Sequence, residues 1–236
     1  MDSKRIFKFL KAVAGNNNRE WFALHRDEYM SCKSDFEEAV AEIIAGISEF
    51  DSNVAHLAPK DCIYRFYRDT RFSSDKSPYK RHFGAYICEG GKKSLRGGYY
   101  LHLQPDGCFM SCGCYYLPTN ILTACRNEIM ANIDEWRSCV EGDDFLRLFG
   151  SPCRGTLDGE TMSDRGFGIS CLKTCPKGFP RDYEFMDYLR LKDYAVWHRL
   201  DDSFFAADGW IDSLMDMFKV GLPLNRFVNA VVSDYE

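Results

Sequence analysis

Apolar residues recur every three or four positions along the first fifty residues, which is the spacing of amphipathic helices. A first helix is predicted over residues 3–14, and Gly15 is placed to end it. Asn18 can cap a second helix over residues 18–29, and a third pattern covers residues 36–47. The chain is therefore expected to open as a layer of helices.

The middle of the chain changes to short runs rich in aromatic and β-branched residues, which are typical of strands. These runs cover residues 62–72, 82–89, 97–104 and 108–115. Turn residues separate them, and links this short favour antiparallel neighbours because parallel strands need a long crossover. In the third run, the alternation of a strand places Tyr100, His102 and Gln104 together on one polar face.

Helical spacing returns in the second half of the chain. The remaining predicted elements are a long helix from Pro118 to Val140, a short helix over 183–189, a strand over 194–200, a helix capped by Ser203 and a last short helix after Pro223. No element is assigned within residues 141–171. The sequence shows no repeat and no linker, so a single α+β domain is predicted over residues 1–236. Its centre is expected to be a largely antiparallel sheet at about residues 62–115, with N-terminal and C-terminal helices packed on it.

Charge is distributed unevenly along this pattern. The whole chain carries a net charge of -5, whereas residues 60–82 contain seven Lys or Arg and three Asp. This stretch is therefore a basic island on an acidic molecule. The acidic total speaks against a general nucleic-acid binder, because such proteins normally show a basic excess over the domain.

The basic stretch begins with the predicted strand 62–72. As a strand it would place Arg65, Asp69 and Arg71 on one face and Arg68 among aromatic residues on the other. A buried arginine needs a carboxylate or an anionic ligand, because an unpaired buried charge is costly. The serine-rich segment that follows, which ends in a proline, has the composition of a loop beside the end of the strand.

An ordered set of charged and aromatic residues runs through this stretch. Its members are Arg65, Arg68, Asp69, Arg71, Phe72, Asp75, Lys76 and Tyr79. The set resembles the signature R-x-x-R-D-x-R-F-x-x-(x)-D/N-K-x-x-Y of a widespread family of bacterial and fungal proteins catalogued as a domain of unknown function. The likeness extends to residues 16–22, 98–103 and 176–179 and so covers almost the whole chain. The resemblance implies no established activity. The chain departs from the family between Cys108 and Cys114, where the relatives are rich in glycine and poor in cysteine.

The functional hypothesis for the signature is an anion site, because guanidinium groups form bidentate bonds to phosphate or carboxylate and lysines add point charges. The predicted ligand-binding residues are Arg65, Arg68, Asp69, Arg71, Asp75, Lys76, Tyr79 and Lys80. The expected partner is a small anionic, phosphorylated ligand that is bound or turned over. Asp69, Asp75 and His102 are the candidates for a catalytic proton transfer.

Two alternatives stay open. The signature can be a purely structural ion-pair network that ties the loop to the sheet. It can also be the surface of a non-catalytic module for a nucleic acid or an acidic protein partner. The sequence holds no phosphate-cradling glycine loop, no H-E-x-x-H and no G-x-S-x-G motif, so neither a reaction nor a cofactor is predicted.

Eleven cysteines, an odd number, and an N-terminus unlike a signal peptide favour free thiols in a reducing compartment. The protein is therefore expected to be cytoplasmic. No apolar run approaches the roughly 20 residues that span a bilayer, so no membrane association is expected. Cys108, Cys112 and Cys114, with Cys171 and Cys175 as a distant second pair, are interpreted as thiols and not as a metal site, because their spacing is not that of a usual zinc site.

Overall fold

The structure, a computed structural model, describes residues 1–157 and 162–236. The α-helices of these residues are α1 (Ser3–Gly15), α2 (Arg19–Leu24), α3 (Arg26–Ser48), α4 (Pro59–Cys62), α5 (Thr119–Ala131), α6 (Ile133–Val140), α7 (Asp143–Phe149), α8 (Met186–Arg190) and α9 (Trp210–Val232). The strands are β1 (Phe83–Ile87), β2 (Gly98–Leu103), β3 (Cys108–Cys114), β4 (Arg165–Phe167) and β5 (Tyr194–Leu200).

The strands form one antiparallel sheet in the order β1-β2-β3-β5-β4. A loop over residues 88–97 joins β1 to β2, a short turn over residues 104–107 joins β2 to β3, and β5 and β4 extend the sheet beyond β3. The predicted α+β class with an antiparallel sheet is confirmed. The sheet extends beyond the predicted residues 62–115, because β5 and β4 add to it, and β4 lies within residues 141–171, for which the sequence predicts no element.

The two faces of the sheet differ because side chains alternate along each strand. On β2, Tyr99 and Leu101 are buried against the helical layer, where Tyr99 packs on Phe218 of α9 with ring centroids 5.2 Å apart. Tyr100 and His102 point to the opposite face and are half-buried. The helices therefore cover one face, and the polar face predicted on β2 lines an open cleft on the other.

Two asparagines of α9, one helical turn apart, fix the sheet to this helix. Asn225 accepts a hydrogen bond from the backbone N–H of Gly113 at 2.8 Å and donates to the carbonyl of Gly98 at 3.1 Å. Asn229 accepts from the N–H of Gly97 at 2.7 Å and donates to the carbonyl of the same residue at 3.0 Å. The buried amide of Asn225 thus satisfies backbone groups that no neighbouring strand reaches.

Residues 64–81, which we call the signature arm, do not form the strand predicted over 62–72. The arm leaves the sheet edge after Tyr64, whose N–H donates to the carbonyl of Gly84 at 3.0 Å. It then pairs with itself: the N–H of Arg68 donates to Pro78 and the N–H of Lys80 donates to Phe66, both at 2.9 Å. The arm is extended, but only isolated β-bridges pair its backbone with other residues. Most of its backbone faces solvent or the returning half of the arm.

Helix boundaries differ from the predictions at several places, and the short helix predicted over 183–189 is α8 at Met186–Arg190. The pattern at 18–29 is divided between α2 and the start of α3, and the pattern at 36–47 is the second half of the same long helix α3. The predicted helix 118–140 is interrupted at Asn132, so it forms α5 and α6. Ser203 lies in a 3-10 turn and caps no α-helix. Instead α9 starts after Gly209 and continues through Pro223, whose ring lies on the exposed side while the flanking turns are anchored by buried side chains.

The cysteines are only partly as expected. Cys153 and Cys171 form a disulfide, so the prediction of reduced cysteines is not confirmed. Cys108, Cys112 and Cys114 are buried, and burial raises the pKa of each thiol. Within residues 1–157 and 162–236 no cluster of three or more potential metal ligands is found. No helix in the same residues is long and apolar enough to cross a membrane.

Candidate functional site

The signature arm is held to the N-terminal helices by one paired contact. The side-chain amide of Asn17 donates to the carbonyl of Tyr79 and accepts from its N–H, both at 3.0 Å. The ring of Tyr79 is 5% exposed and stacks on Phe22 with centroids 3.9 Å apart. Two of the segments that resemble the family therefore meet here. Tyr79, a predicted ligand contact, lies in the core.

Arg68 and Asp75 face each other across the base of the loop at the end of the arm. The guanidinium of Arg68 contacts the Asp75 carboxylate and donates to the hydroxyls of Ser77 at 2.6 Å and Ser73 at 3.3 Å. The N–H of Ser77 donates to Asp75 at 2.9 Å. This backbone bond, the Ser77 hydroxyl and then Arg68 hold the pKa of Asp75 well below its usual range. The Arg68 side chain thus directs its hydrogen bonds to the loop, as the interpretation of the signature as a structural ion-pair network predicts.

The tip of the arm carries the next pair. Asp69 accepts two bonds from the guanidinium of Arg71, at 3.0 and 2.7 Å, and these bonds lower the pKa of Asp69 to about 2. Lys76 donates to the carbonyl of Thr70 at 2.9 Å. Phe72, between these groups, is 96% exposed. Asp69 and Arg71 balance each other at the solvent-exposed end of the arm, whereas Lys76 bonds only to a backbone carbonyl.

The two arginines are expected to differ in their effect on stability. Arg68→Ala should lower the free energy of unfolding by about 1–3 kcal/mol, because it removes the bonds to Ser73 and Ser77 that fix the loop and leaves Asp75 with only the longer contact to Arg81. Arg71→Ala should leave it close to the wild-type value, because the exposed pair with Asp69 is screened by water. Urea denaturation of both variants measures this difference. Equal stability of the two variants would show that the Arg68 network does not hold the arm.

The return of the arm lies over the open face of the sheet and encloses what we call the aromatic cleft, a cavity of about 500 Å³. Its principal lining side chains are Tyr64, Lys80, His82, Tyr86, Tyr100, Phe109, Ser111 and Tyr115. The register explains this gathering, since Tyr86 is opposite Tyr100 and Tyr100 is opposite Ser111. Gly84 leaves room for the Tyr100 hydroxyl, which would lie 2.7 Å from an added Cβ.

Lys80 is the signature residue that enters this cleft. Its ammonium lies 5.2 Å from the centroid of the Tyr64 ring, a cation–π contact. It has no salt bridge to any residue in the described part of the chain. Burial and, to a smaller degree, the neighbouring charge of Arg65 lower the pKa of Lys80. Lys80 is therefore a half-buried cation without a carboxylate among these residues, and an anion in the cleft would stabilise it.

Two histidines and a tyrosine form a chain of contacts at the side of the cleft. The rings of His82 and His102 lie 4.1 Å apart, and His102 stacks on Phe109 at 4.6 Å. The Tyr100 hydroxyl lies 2.9 Å from Nδ1 of His102, and Nε2 lies 3.5 Å from the Gln104 side-chain oxygen. These partners fit a neutral His102 that accepts from Tyr100 and donates to Gln104.

Burial is the main reason why both histidines are neutral near pH 7. It lowers the pKa of His102 to about 4, although the bond to Gln104 acts in the opposite direction. It lowers the pKa of His82 to about 2, and the charges of His102, Lys80 and Arg68 add to this effect. Burial also raises the pKa of the Tyr100 hydroxyl, so both groups rest in their neutral forms, and His102 stays a candidate general base towards a bound group.

The structure brings together only some of the residues predicted for the site. Lys80 lies in the aromatic cleft and His102 lies beside it, whereas Arg65 lies on the other side of Tyr64. The other predicted residues lie within the arm, at the base of its loop or at its tip. Sequence reasoning missed Tyr64, Tyr86, Phe109 and Ser111 as lining residues. The alternation along residues 108–115 places Phe109 and Ser111 on one face. Alignment of this strand with Tyr100 and His102 on the neighbouring strand would have indicated that both residues line the cleft.

Comparison with known proteins identifies the family of the chain. The model of a family described as conserved hypothetical protein (DUF2461) matches residues 5–227. No curated protein and no solved structure matches the chain. Because the family model covers nearly the whole sequence, the chain belongs to this family, which confirms the resemblance to a domain of unknown function.

Proposed function

We propose that this member of the DUF2461 family binds a small anionic ligand that carries a planar ring, with the anion at Lys80 and the ring in the aromatic cleft. The observation that supports this most directly is the half-buried ammonium of Lys80, which has no carboxylate partner among the described residues. Removing part of the water from a charge is costly unless an opposite charge replaces it. A bound phosphate or carboxylate would supply that charge.

The walls of the cleft indicate the rest of the ligand. Tyr64, Tyr100, Phe109 and Tyr115 supply aromatic surfaces, and Ser111 adds a hydroxyl. A volume of about 500 Å³ lies within the usual range of small-molecule sites, about 300–1,000 Å³. A phosphate monoester with an aromatic base or ring is therefore the class that we expect.

Turnover would use the contact between Tyr100 and His102. The Tyr100 hydroxyl would take a proton from a bound group while its own proton passes to the unprotonated Nδ1 of the neutral His102, which becomes an imidazolium. Asp69 and Asp75 are not placed for this step in the described conformation, because both accept bonds within the arm. The proposal therefore assigns catalysis, if the ligand is a substrate, to the cleft and not to the signature carboxylates.

The binding proposal predicts different effects for two lysines of the signature. In a thermal-shift screen with nucleoside monophosphates and sugar phosphates, a ligand present at about 100 times its Kd should add about 2.7 kcal/mol of stability. Lys80→Met should weaken the binding of such a ligand by about tenfold or more, because a charged hydrogen bond is lost. Lys76→Met is the matched control, since Lys76 bonds to the carbonyl of Thr70 outside the cleft.

Equal weakening by Lys80→Met and Lys76→Met would contradict the placement of the anion in the cleft. The panel also contains a single-stranded oligonucleotide, because Tyr67 and Phe72 are 51% and 96% exposed beside the cations of the arm. Binding of the oligonucleotide alone, steeply weakened by salt and unchanged in Lys80→Met, would favour the non-catalytic module instead.

A further inference from the structure

A second cavity, which we call the basic groove, lies on the other side of Tyr64 from the aromatic cleft. Its volume is about 490 Å³. Its charged lining residues are Lys33, Glu37, Lys60, Arg65, Lys92 and Lys93. The rest of its lining comes from Tyr29, Ile63, Tyr64, Phe66 and Phe83. Five cations and one carboxylate therefore line a single groove in a chain whose net charge is -5.

The single carboxylate of the groove does not neutralise these cations. Glu37 lies 2.7 Å from Lys33, one helical turn away on α3, so this pair is satisfied by itself. Lys60, Arg65 and Lys93 have no salt bridge to a described residue, and the ammonium of Lys92 contacts the backbone carbonyl of Lys60. The local excess of positive charge is thus left for a ligand with several negative charges.

The floor of the groove strengthens this attraction. Tyr29, Phe66 and Phe83 pack against one another, with ring centroids 5.1 to 6.4 Å apart. Burial raises the pKa of Tyr29 to about 12, so its hydroxyl adds no negative charge at neutral pH. Charges next to an apolar surface interact more strongly than charges in open water, because the effective dielectric constant is lower.

The groove adjoins the aromatic cleft. Tyr64 and Lys92 line both cavities, Lys80 lies over the Tyr64 ring in the cleft, and Arg65 lines the groove. We propose that the basic groove is a subsite for a polyphosphate chain, so that one ligand places its ring in the aromatic cleft, its first phosphate at Lys80 and its further phosphates at Arg65 and Lys93. This inference rests on the proposed function and specifies its ligand as an organic diphosphate or triphosphate.

Inorganic tripolyphosphate tests the groove without any assumption about the ring. Isothermal titration calorimetry of the full chain in magnesium-free buffer should show saturable binding. The double variant Arg65→Met, Lys93→Met should weaken this binding by about tenfold, because two exposed cations that would contact the polyphosphate are lost. The control variant Lys4→Met, Lys8→Met removes the same charge from the exposed side of α1 and should weaken binding by less than about twofold.

Two outcomes would overturn the inference. Tripolyphosphate that fails to bind at millimolar concentration shows that the groove is not a polyphosphate subsite. Equal weakening of tripolyphosphate binding in the two double variants shows that the total positive charge of the protein attracts the ligand and that the groove is not a specific subsite. Failure of the proposed function looks different: the ring-bearing monophosphates would then bind without dependence on Lys80, whatever the result with tripolyphosphate.

Discussion

Gly113→Ala should lower the free energy of unfolding by about 3–5 kcal/mol, among the largest effects expected from one substitution in this chain. Gly113 has a φ of +99°, a conformation that residues with a Cβ rarely adopt. An added Cβ would clash with the carbonyl oxygen of Tyr194 on the neighbouring strand β5. Relief of that clash would move the strand away and would also break the bond from the Gly113 N–H to Asn225.

Gly142→Ala is the matched control for this experiment. Gly142 has a φ of -63°, and no atom lies within 4 Å of the position of an added Cβ. This substitution should change the unfolding free energy by less than about 0.5 kcal/mol. Urea denaturation of both variants gives the comparison. A Gly113→Ala protein within 1 kcal/mol of the wild type would show that β3 and β5 are not packed as described.

Acidification from pH 7 to pH 4 should destabilise the protein, chiefly through His82 and His102. Their pKa values in the folded state, about 2 and about 4, lie below the ordinary value of 6.5. Between pH 6.5 and pH 4 the unfolded chain therefore binds more protons than the folded one, and stability falls as pH falls. The slope approaches about 1.4 kcal/mol per pH unit for each histidine, or about 3 kcal/mol each over the window.

A variant comparison separates His102 from other groups of the fold, because burial also lowers the pKa of His198 and raises the pKa of Asp193. The lowered pKa values of Asp69 and Asp75 act mainly below about pH 4, where unfolded carboxylates take up protons. His102→Asn keeps an acceptor near the Tyr100 hydroxyl and should flatten the slope between pH 6.5 and pH 4. The variant His56→Gln, at an exposed position, should leave the slope unchanged. Identical slopes in wild type and His102→Asn would contradict the burial of a neutral His102.

Much of the sheet could be predicted because its strands combine alternation with clear turn signals. The strand 194–200 was placed at its observed bounds, and 97–104 differs from β2 by one residue at each end. The run 62–72 shows the same alternation but forms no regular strand. Alternation of the side chains along a run indicates an extended backbone. It does not indicate whether a neighbouring strand is present to accept the hydrogen bonds.

The candidate site could be predicted only where one strand or one loop defines it. Tyr100 and His102 were placed on one polar face from the sequence alone, and Lys80 was assigned to the anion site. The meeting of Tyr100 with Ser111 depends on the register between β2 and β3, which the sequence does not specify. The pairing of Arg68 with Asp75 depends on how the arm folds back, since these residues are seven positions apart.

The docking of irregular segments along both borders of the sheet has a consequence for solubility. Tyr64 donates to Gly84 along the outer side of β1, and residues 153 and 154 bond to Phe167 along the outer side of β4. Unpaired outer strands are templates on which other chains add strands and start fibrils. Tyr64 at the start of the arm occupies an acceptor of β1, and the disulfide-linked segment at Cys153 occupies a donor and an acceptor of β4. Conditions that detach the arm would therefore be expected to promote aggregation before they unfold the core.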